Sequence, residues 1–229
     1  MISIEADESS VVLPSINRAD REGFAAFLLR ARAQGFDNAA LMAAIEAVPR
    51  RGFVPVQFQN AAWGQRTVPI ACGETLESLD LQARLLASLK LVDSHRLLEV
   101  GTGSGYTAAL AGKIVKRVYT IERYRTLHHT AHQRLRALKL DNVIAQHGDG
   151  ALGSTDGPFD RIIVWAAFAS VPRAFIDQLV SGGEMICAIG NEDEPQMLHR
   201  LTKVGSRFDA EELGLVRMQM LRSGTAQTL

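Results

Sequence analysis

Apolar residues recur at helical spacing over the first third of the chain. Phe24, Phe27, Leu28 and Ala31 fall at i, i+3, i+4 and i+7, which predicts an amphipathic helix over 18–34 that Asn17 can cap. A second short helix is predicted from about Asn38, with Leu41, Ile45 and Val48 inward, stopping at Pro49. Residues 49–76 carry Pro49, Pro55, Pro69, Gly52, Gly64 and Gly73, and predict an irregular segment wrapping a site. Helical spacing returns from Leu76 to Leu91.

The period then shortens. Arg96–Val100 is a brief apolar strand, followed by a glycine-rich turn and an alanine-rich helix through Ile114. Arg117–Glu122 is a second strand, leading into a helix with Leu127, Ala131, Leu135 and Leu138 on one face. Val143–His147, Asp160–Trp165 and Glu184–Ile189 are further strands, with a helix beginning at Pro172 (an N1 proline) between the last two. Strands alternating with helices predict an α/β fold, a doubly wound, mostly parallel sheet covered on both faces. The stretches MLHRLTKV and LVRMQML in 196–221 have no helix between them, which predicts an antiparallel addition at the sheet edge. Residues 1–90 are therefore read as an N-terminal helical cap carrying the site loop, and 91–229 as the core. The two form one integrated domain, because the cap's short helices have too little core to stand alone.

Composition narrows the function. Lys+Arg and Asp+Glu are equal at 25 each, so the global basic field that nucleic-acid binding exploits is missing. No apolar run approaches the ~20 residues needed to span a bilayer. The acidic opening MISIEADESS does not read as a secretory signal. Cys72 and Cys187 are too few for a disulfide framework or a four-thiolate metal site. The expectation is a soluble cytoplasmic protein with no metal and no nucleic-acid or membrane partner.

The chemistry lies in Leu98–Tyr106, LEVGTGSGY. A strand ending in an acid, then glycines, then a helix start brings backbone N–H groups against a ligand. A dinucleotide fingerprint is G-x-G-x-x-G, but Gly101, Gly103 and Gly105 read G-x-G-x-G, with Tyr106 where the third glycine is expected. Glu122 closes the next strand, where an acid can accept both ribose hydroxyls, and the third strand ends in His147-Gly148-Asp149-Gly150. Three successive strand ends thus carry an acid. Each acid alone could equally be a helix cap; all three in this order are poorly explained that way.

E-x-G-x-G-x-G resembles the first motif of class I S-adenosylmethionine-dependent methyltransferases, whose fold is Rossmann-like. The resemblance implies that Gly101, Thr102, Gly103, Ser104 and Gly105 curl around the amino-acid part of S-adenosylmethionine, with Glu99 nearby. It further implies that Glu122 holds the ribose, and Asp149 with Gly150 the adenine. VPRRGFVP (48–55), TVPIACGETLES (67–78), GDG, FDRIIVWAAFASVP (159–172) and QLVSGGEMICAIG (178–190) follow the order found in protein-L-isoaspartate O-methyltransferases. That narrower resemblance covers about residues 20–221. It implies methylation of the side-chain carboxylate of isoaspartyl residues in damaged proteins or peptides, leaving S-adenosylhomocysteine.

One departure stands out. The family's site loop is close to G-x-T-I-S-x-P, with the serine hydroxyl near the carboxylate to be methylated. Here Thr75 is kept, Glu77 stands at the serine position and Leu79 at the proline. An ionised Glu77 within ~4 Å of an acceptor carboxylate would oppose it by roughly 1–4 kcal/mol. Either Ser78 rotates into the serine's place, or Glu77 serves as base or cation partner for a different acceptor. Thr75, Glu77 and Ser78 are therefore the catalytic candidates. Three functions remain open: isoaspartyl methylation, methylation of another peptide or small molecule, and non-catalytic cofactor binding. DNA amino-methylation predicts [DN]-P-P-[FY] after the fourth strand, where this chain has Trp165-Ala166-Ala167-Phe168. No oligomeric state follows from these features.

Other residues read as background. His128, His129 and His132 lack the glutamate of a metalloprotease helix and predict a surface patch. Cys72 is read as a small buried hydrophobe, Trp165 and Phe168 as site wall or core, and Arg50, Arg51 and Arg66 as carboxylate clamps or solvated charges.

Overall fold

In the computed structural model, residues 13–36 and 38–226 are described. Helix α1 (Arg18–Ala33) starts at Asn17, whose side chain accepts from the Asp20 amide while the Asp20 carboxylate accepts from the Asn17 amide. Asn38 likewise caps α2 (Ala39–Ala47), which ends before Pro49. Short 3-10 turns at Arg50–Phe53 and Val56–Ala61 lead to a small antiparallel hairpin of β1 (Val68–Pro69) and β2 (Thr75–Leu76). Ser78 then caps α3 (Leu79–Ser88).

The core follows as β3 (Arg96–Val100), α4 (Tyr106–Gly112), β4 (Arg117–Glu122), α5 (Arg125–Ala137), β5 (Val143–His147), β6 (Phe159–Phe168), β7 (Leu179–Ile189), β8 (Gln196–Val204) and β9 (Arg207–Val216). These strands form one sheet in the order β5-β4-β3-β6-β7-β8-β9, parallel through β7 and antiparallel at β8 and β9. The chain winds outward from β3 to β5, then returns to β6 on the other side of β3. That reversal opens a crevice outside the carboxyl ends of the central strands.

Strand residues alternate between two apolar clusters, one on each face. Leu97, Val118, Ile163 and Ile186 join Phe27, Ile45, Phe53, Leu85 and Leu110, so cap and sheet share one core. Leu98, Tyr119, Ile162 and Met185 join Phe159, Phe175 and Leu179 on the opposite face. Arg30 on α1 pairs with both carboxylate oxygens of Asp80 on α3 at 3.0 Å, tying the cap together. No helix among the described residues is long and apolar enough to cross a membrane.

Two expectations are corrected. Pro172 opens no α-helix: the link between β6 and β7 is a six-residue 3-10 turn, Arg173–Gln178. β6 continues through Ala166, Ala167 and Phe168 and β7 begins at Leu179, well before Glu184, which leaves too little chain for regular helical turns. The second edge strand is not LVRMQML but the polar Arg207–Val216, joined to β8 across Gly205-Ser206 with Gly205 at φ +61°. An edge strand has little to bury, so apolar alternation does not reveal it. Beyond Val216 the chain turns back over the sheet: Ala167 N–H donates to Gln219 O and Leu221 N–H to Ala167 O, each at 2.8 Å.

Candidate active site

A cleft of about 370 Å³ opens at the carboxyl edge of the parallel strands, within the usual size range for small-ligand sites. Its floor is the glycine loop. Gly105, at φ +86°, approaches α5 so closely that an added Cβ would lie 3.0 Å from the Ala131 Cβ. Gly101, at φ +91°, sits against Trp165. A side chain at either position would strain the backbone and crowd its neighbour.

The acids at the strand ends have different tasks. Glu122 is buried yet lines the cleft; Oε2 accepts from Gly103 N–H at 2.8 Å and Oε1 from Tyr124 N–H at 3.0 Å. Burial raises its pKa, and the backbone donors pull it back. Glu99 lies beneath the floor rather than in the cleft wall. It accepts from Thr107, from Thr120 Oγ1 at 2.7 Å and from Trp165 Nε1 at 3.0 Å. Burial pushes its pKa up to about 6 despite those three donors. Glu99 thereby fixes the indole that walls the site.

Asp149 is also engaged by backbone: Oδ1 accepts from Ala151 N–H at 2.9 Å and Oδ2 from Gly224 N–H at 2.7 Å. Gly150, not Asp149, lines the cleft.

A second, narrower pocket of about 50 Å³ adjoins the cleft and shares Glu74, Thr75, Gly101, Gly103, Trp165 and Gln219 with it. Leu76, Glu77, Gln82, Thr102, Ser104 and Thr107 complete it. The catalytic candidates separate here. Thr75 and Glu77 line this pocket, whereas Ser78 does not, its Oγ accepting from Leu81 N–H at 3.3 Å as the cap of α3. Glu77 is half-buried, and burial pushes its pKa up to about 7. Burial thus works against the ionised form of Glu77 that the sequence reading weighed.

Arg50 is neither a substrate clamp nor a solvated charge. It is 1% exposed, donates to Ala62 O and Gln82 Oε1 at 2.6 Å and to Glu77 O at 2.8 Å, and lies 4.5 Å from the Tyr106 ring centroid. Cys72 is half-buried in the cleft wall at φ +62°, its thiol pKa raised by burial and by Glu122 and Glu74. Phe168 packs edge-on against Phe175 in the core, while Trp165 walls both pockets. His128 and His132 stack at 6.0 Å on α5.

Sequence reasoning missed the returning tail. Gln219, Met220, Leu221 and Arg222 close one side of the cleft, and Ala226 N–H donates to Arg123 O at 3.0 Å. Arg222 pairs with Glu192 at 3.2 Å. Nothing in MQML marks these residues as site wall.

The family model described as protein-L-isoaspartate(D-aspartate) O-methyltransferase (PCMT) matches residues 24–222. The chain belongs to the protein-L-isoaspartate O-methyltransferase family. A protein of that name from Rhizobium meliloti is 44% identical over 186 residues, spanning 81% of this chain and 91% of the relative. Another from Azorhizobium caulinodans is 41% identical over 214 residues, covering 93% and 99%. Among solved structures, a Plasmodium falciparum protein described as a protein-L-isoaspartate O-methyltransferase in complex with S-adenosyl-L-homocysteine superposes with a TM-score of 0.75. It is 23% identical and covers 86% of this chain and 97% of its own, which shows a shared fold.

Proposed function

We propose that this protein transfers a methyl group from S-adenosylmethionine to the side-chain carboxylate of isoaspartyl residues in proteins or peptides, leaving S-adenosylhomocysteine. The observation that carries the reading is the juxtaposition of two pockets. A cofactor-sized cleft floored by side-chain-free Gly101 and Gly103 opens directly into a narrow polar pocket beside Thr75 and Glu77.

The cleft fits the cofactor chemically. Gly101–Gly105 would face its amino-acid part, with Thr102 and Ser104 on the acceptor side of the loop. Glu122 would accept from the ribose through lone pairs that Gly103 and Tyr124 leave free. Gly150 would lie against the adenine, with Asp149 behind it holding Ala151 and Gly224 by their N–H groups. Glu99 would act through Trp165. The cofactor would supply an electrophilic methyl group; this chain would supply its orientation against the narrow pocket. An acceptor carboxylate is already ionised at neutral pH, so alignment matters more than a general base. The balanced net charge agrees with a protein or peptide partner in the cytoplasm and gives no basis for nucleic-acid binding.

Cofactor turnover with an isoaspartyl peptide, beside the same peptide containing normal aspartate, tests the reading. Product with the isoaspartyl peptide alone is expected. Cofactor binding without turnover would mean a binding module, and turnover only with other acceptors would mean a different substrate.

A further inference from the structure

The narrow pocket holds an acid with nothing to neutralise it. Glu77's main-chain oxygen is gripped by Arg50, but no hydrogen bond or ion pair reaches its carboxyl group among the described residues. The charged groups around it are all committed elsewhere. The guanidinium of Arg50 is turned to main-chain oxygens and Gln82. Asp80 on α3 is paired with Arg30. Glu74, which also lines the pocket, interacts with Tyr124, Glu122, Arg123 and Arg222 across the cleft, and Glu99 lies behind Thr107 and Trp165. Among the described residues, no lysine, arginine or histidine lines the pocket.

An acceptor carboxylate seated there would meet the carboxyl groups of Glu77 and Glu74 and, among the described residues lining the pocket, no cation; Glu74 already has Tyr124 as donor and Arg123 and Arg222 nearby, whereas Glu77 has neither donor nor cation. Two carboxylates in a desolvated site do not both ionise; one proton is held between them. We propose that Glu77 receives the acceptor as a neutral acid, donating one hydrogen bond to its carboxylate and so acting as the positioning residue of the acceptor pocket.

This inference rests on the proposed isoaspartyl acceptor. Burial of Glu77 already favours its neutral form in the empty pocket. The acceptor oxygen forms its new bond to carbon as the carbon–sulfur bond breaks, with that electron pair left on sulfur. The proton stays on Glu77 throughout, so Glu77 leaves the cycle as it entered. Above about pH 7 Glu77 must take up a proton for the acceptor to bind, so peptide affinity falls about ten-fold per pH unit. Below about pH 4 the acceptor itself is protonated and no longer a nucleophile.

The decisive measurement is calorimetric titration of the full chain, with S-adenosylhomocysteine present, by an isoaspartyl peptide at about pH 8. Two buffers of different ionisation enthalpy give the proton count. Uptake close to one proton per peptide, with affinity weakening above neutrality, is expected. Glu77→Gln donates at every pH, so its uptake should vanish and its affinity stay flat from about pH 6 to 9. Wild-type binding without proton uptake and without pH dependence overturns the inference while leaving the proposed function standing. If neither protein binds or methylates the peptide at any pH, the proposed function fails and this inference with it. Should Glu77→Gln not fold, the wild-type proton count decides alone.

Discussion

Arg50 offers the strongest test of how the cap holds the acceptor pocket. Its guanidinium donates to three acceptors, Ala62 O, Gln82 Oε1 and Glu77 O, and faces the buried Tyr106 ring. A charged donor contributes roughly 1.5–3 kcal/mol per hydrogen bond, and the desolvation of the guanidinium offsets part of that sum. Burial indeed lowers the Arg50 pKa, so the offset is real. Arg50→Met should therefore destabilise the protein by about 3–5 kcal/mol, the usual range for leaving buried partners unmatched. A chain of this length loses roughly 2–4 °C in Tm per kcal/mol, so a fall of about 10 °C is expected. Arg50→Lys keeps the charge but cannot span three acceptors, and should lose less. The site readout uses the lysine variant: Glu77's carbonyl is released, so KM for an isoaspartyl peptide rises. Calorimetric affinity for S-adenosylhomocysteine stays within about three-fold, under 1 kcal/mol, because no cleft residue bonds to Arg50. Urea denaturation showing less than about 1 kcal/mol lost in Arg50→Met would refute the network. Equal losses of peptide and cofactor binding in Arg50→Lys would refute its confinement to the acceptor side.

Glu122→Ala should weaken cofactor binding at least about ten-fold by calorimetry, since it removes ribose acceptors and frees the Gly103 N–H that shapes the loop; unchanged affinity would place the ribose elsewhere. A fragment of residues 1–90 should show no cooperative thermal transition by circular dichroism, because Phe27, Ile45 and Phe53 share one core with Leu97, Val118 and Ile163. A sharp transition in that fragment would mean that the cap is a domain of its own.

The strands that sequence periodicity delimits correctly are β3, β4 and β5, and they share a physical circumstance. Each is a short parallel strand whose ends are set by glycine loops, caps or helix starts, so the composition changes abruptly where the pairing stops. β6 and β7 run past the expected bounds, β6 through Ala166, Ala167 and Phe168 and β7 from Leu179 through a glycine pair, because main-chain pairing continues there. The early start of β7 leaves only Arg173–Gln178 where a helix was expected from Pro172. The edge strand β9 escaped for the opposite reason: its residues are mostly exposed, and the signal that marks it is the Gly205-Ser206 turn rather than hydrophobicity.

The glycine loop and the acids at the strand ends were legible for a reason that does not extend to the walls of the narrow pocket. Glycines at positive φ and acids at strand ends are demanded by backbone geometry, and such demands show in residue type. Arg50 and the tail residues Gln219–Arg222 meet no such demand. An arginine beside a proline-rich segment reads as solvated, and only the fold reveals that it is buried against three oxygens. The choice between Glu77 and Ser78 likewise needed the cap of α3. Moving the Ser78 hydroxyl into the pocket would strip Leu81 N–H of its partner, at a cost of about 1 kcal/mol for an N-cap. It would also draw on the first turn of α3, whose Leu79 is fully buried. Glu77 needs no such rearrangement, because it already lines the pocket and its carboxyl group has no other partner among the described residues. The one-residue difference between capping a helix and lining the pocket therefore sets Glu77, and not Ser78, at the wall of the narrow pocket, which is why the proposal above rests on the protonation of Glu77.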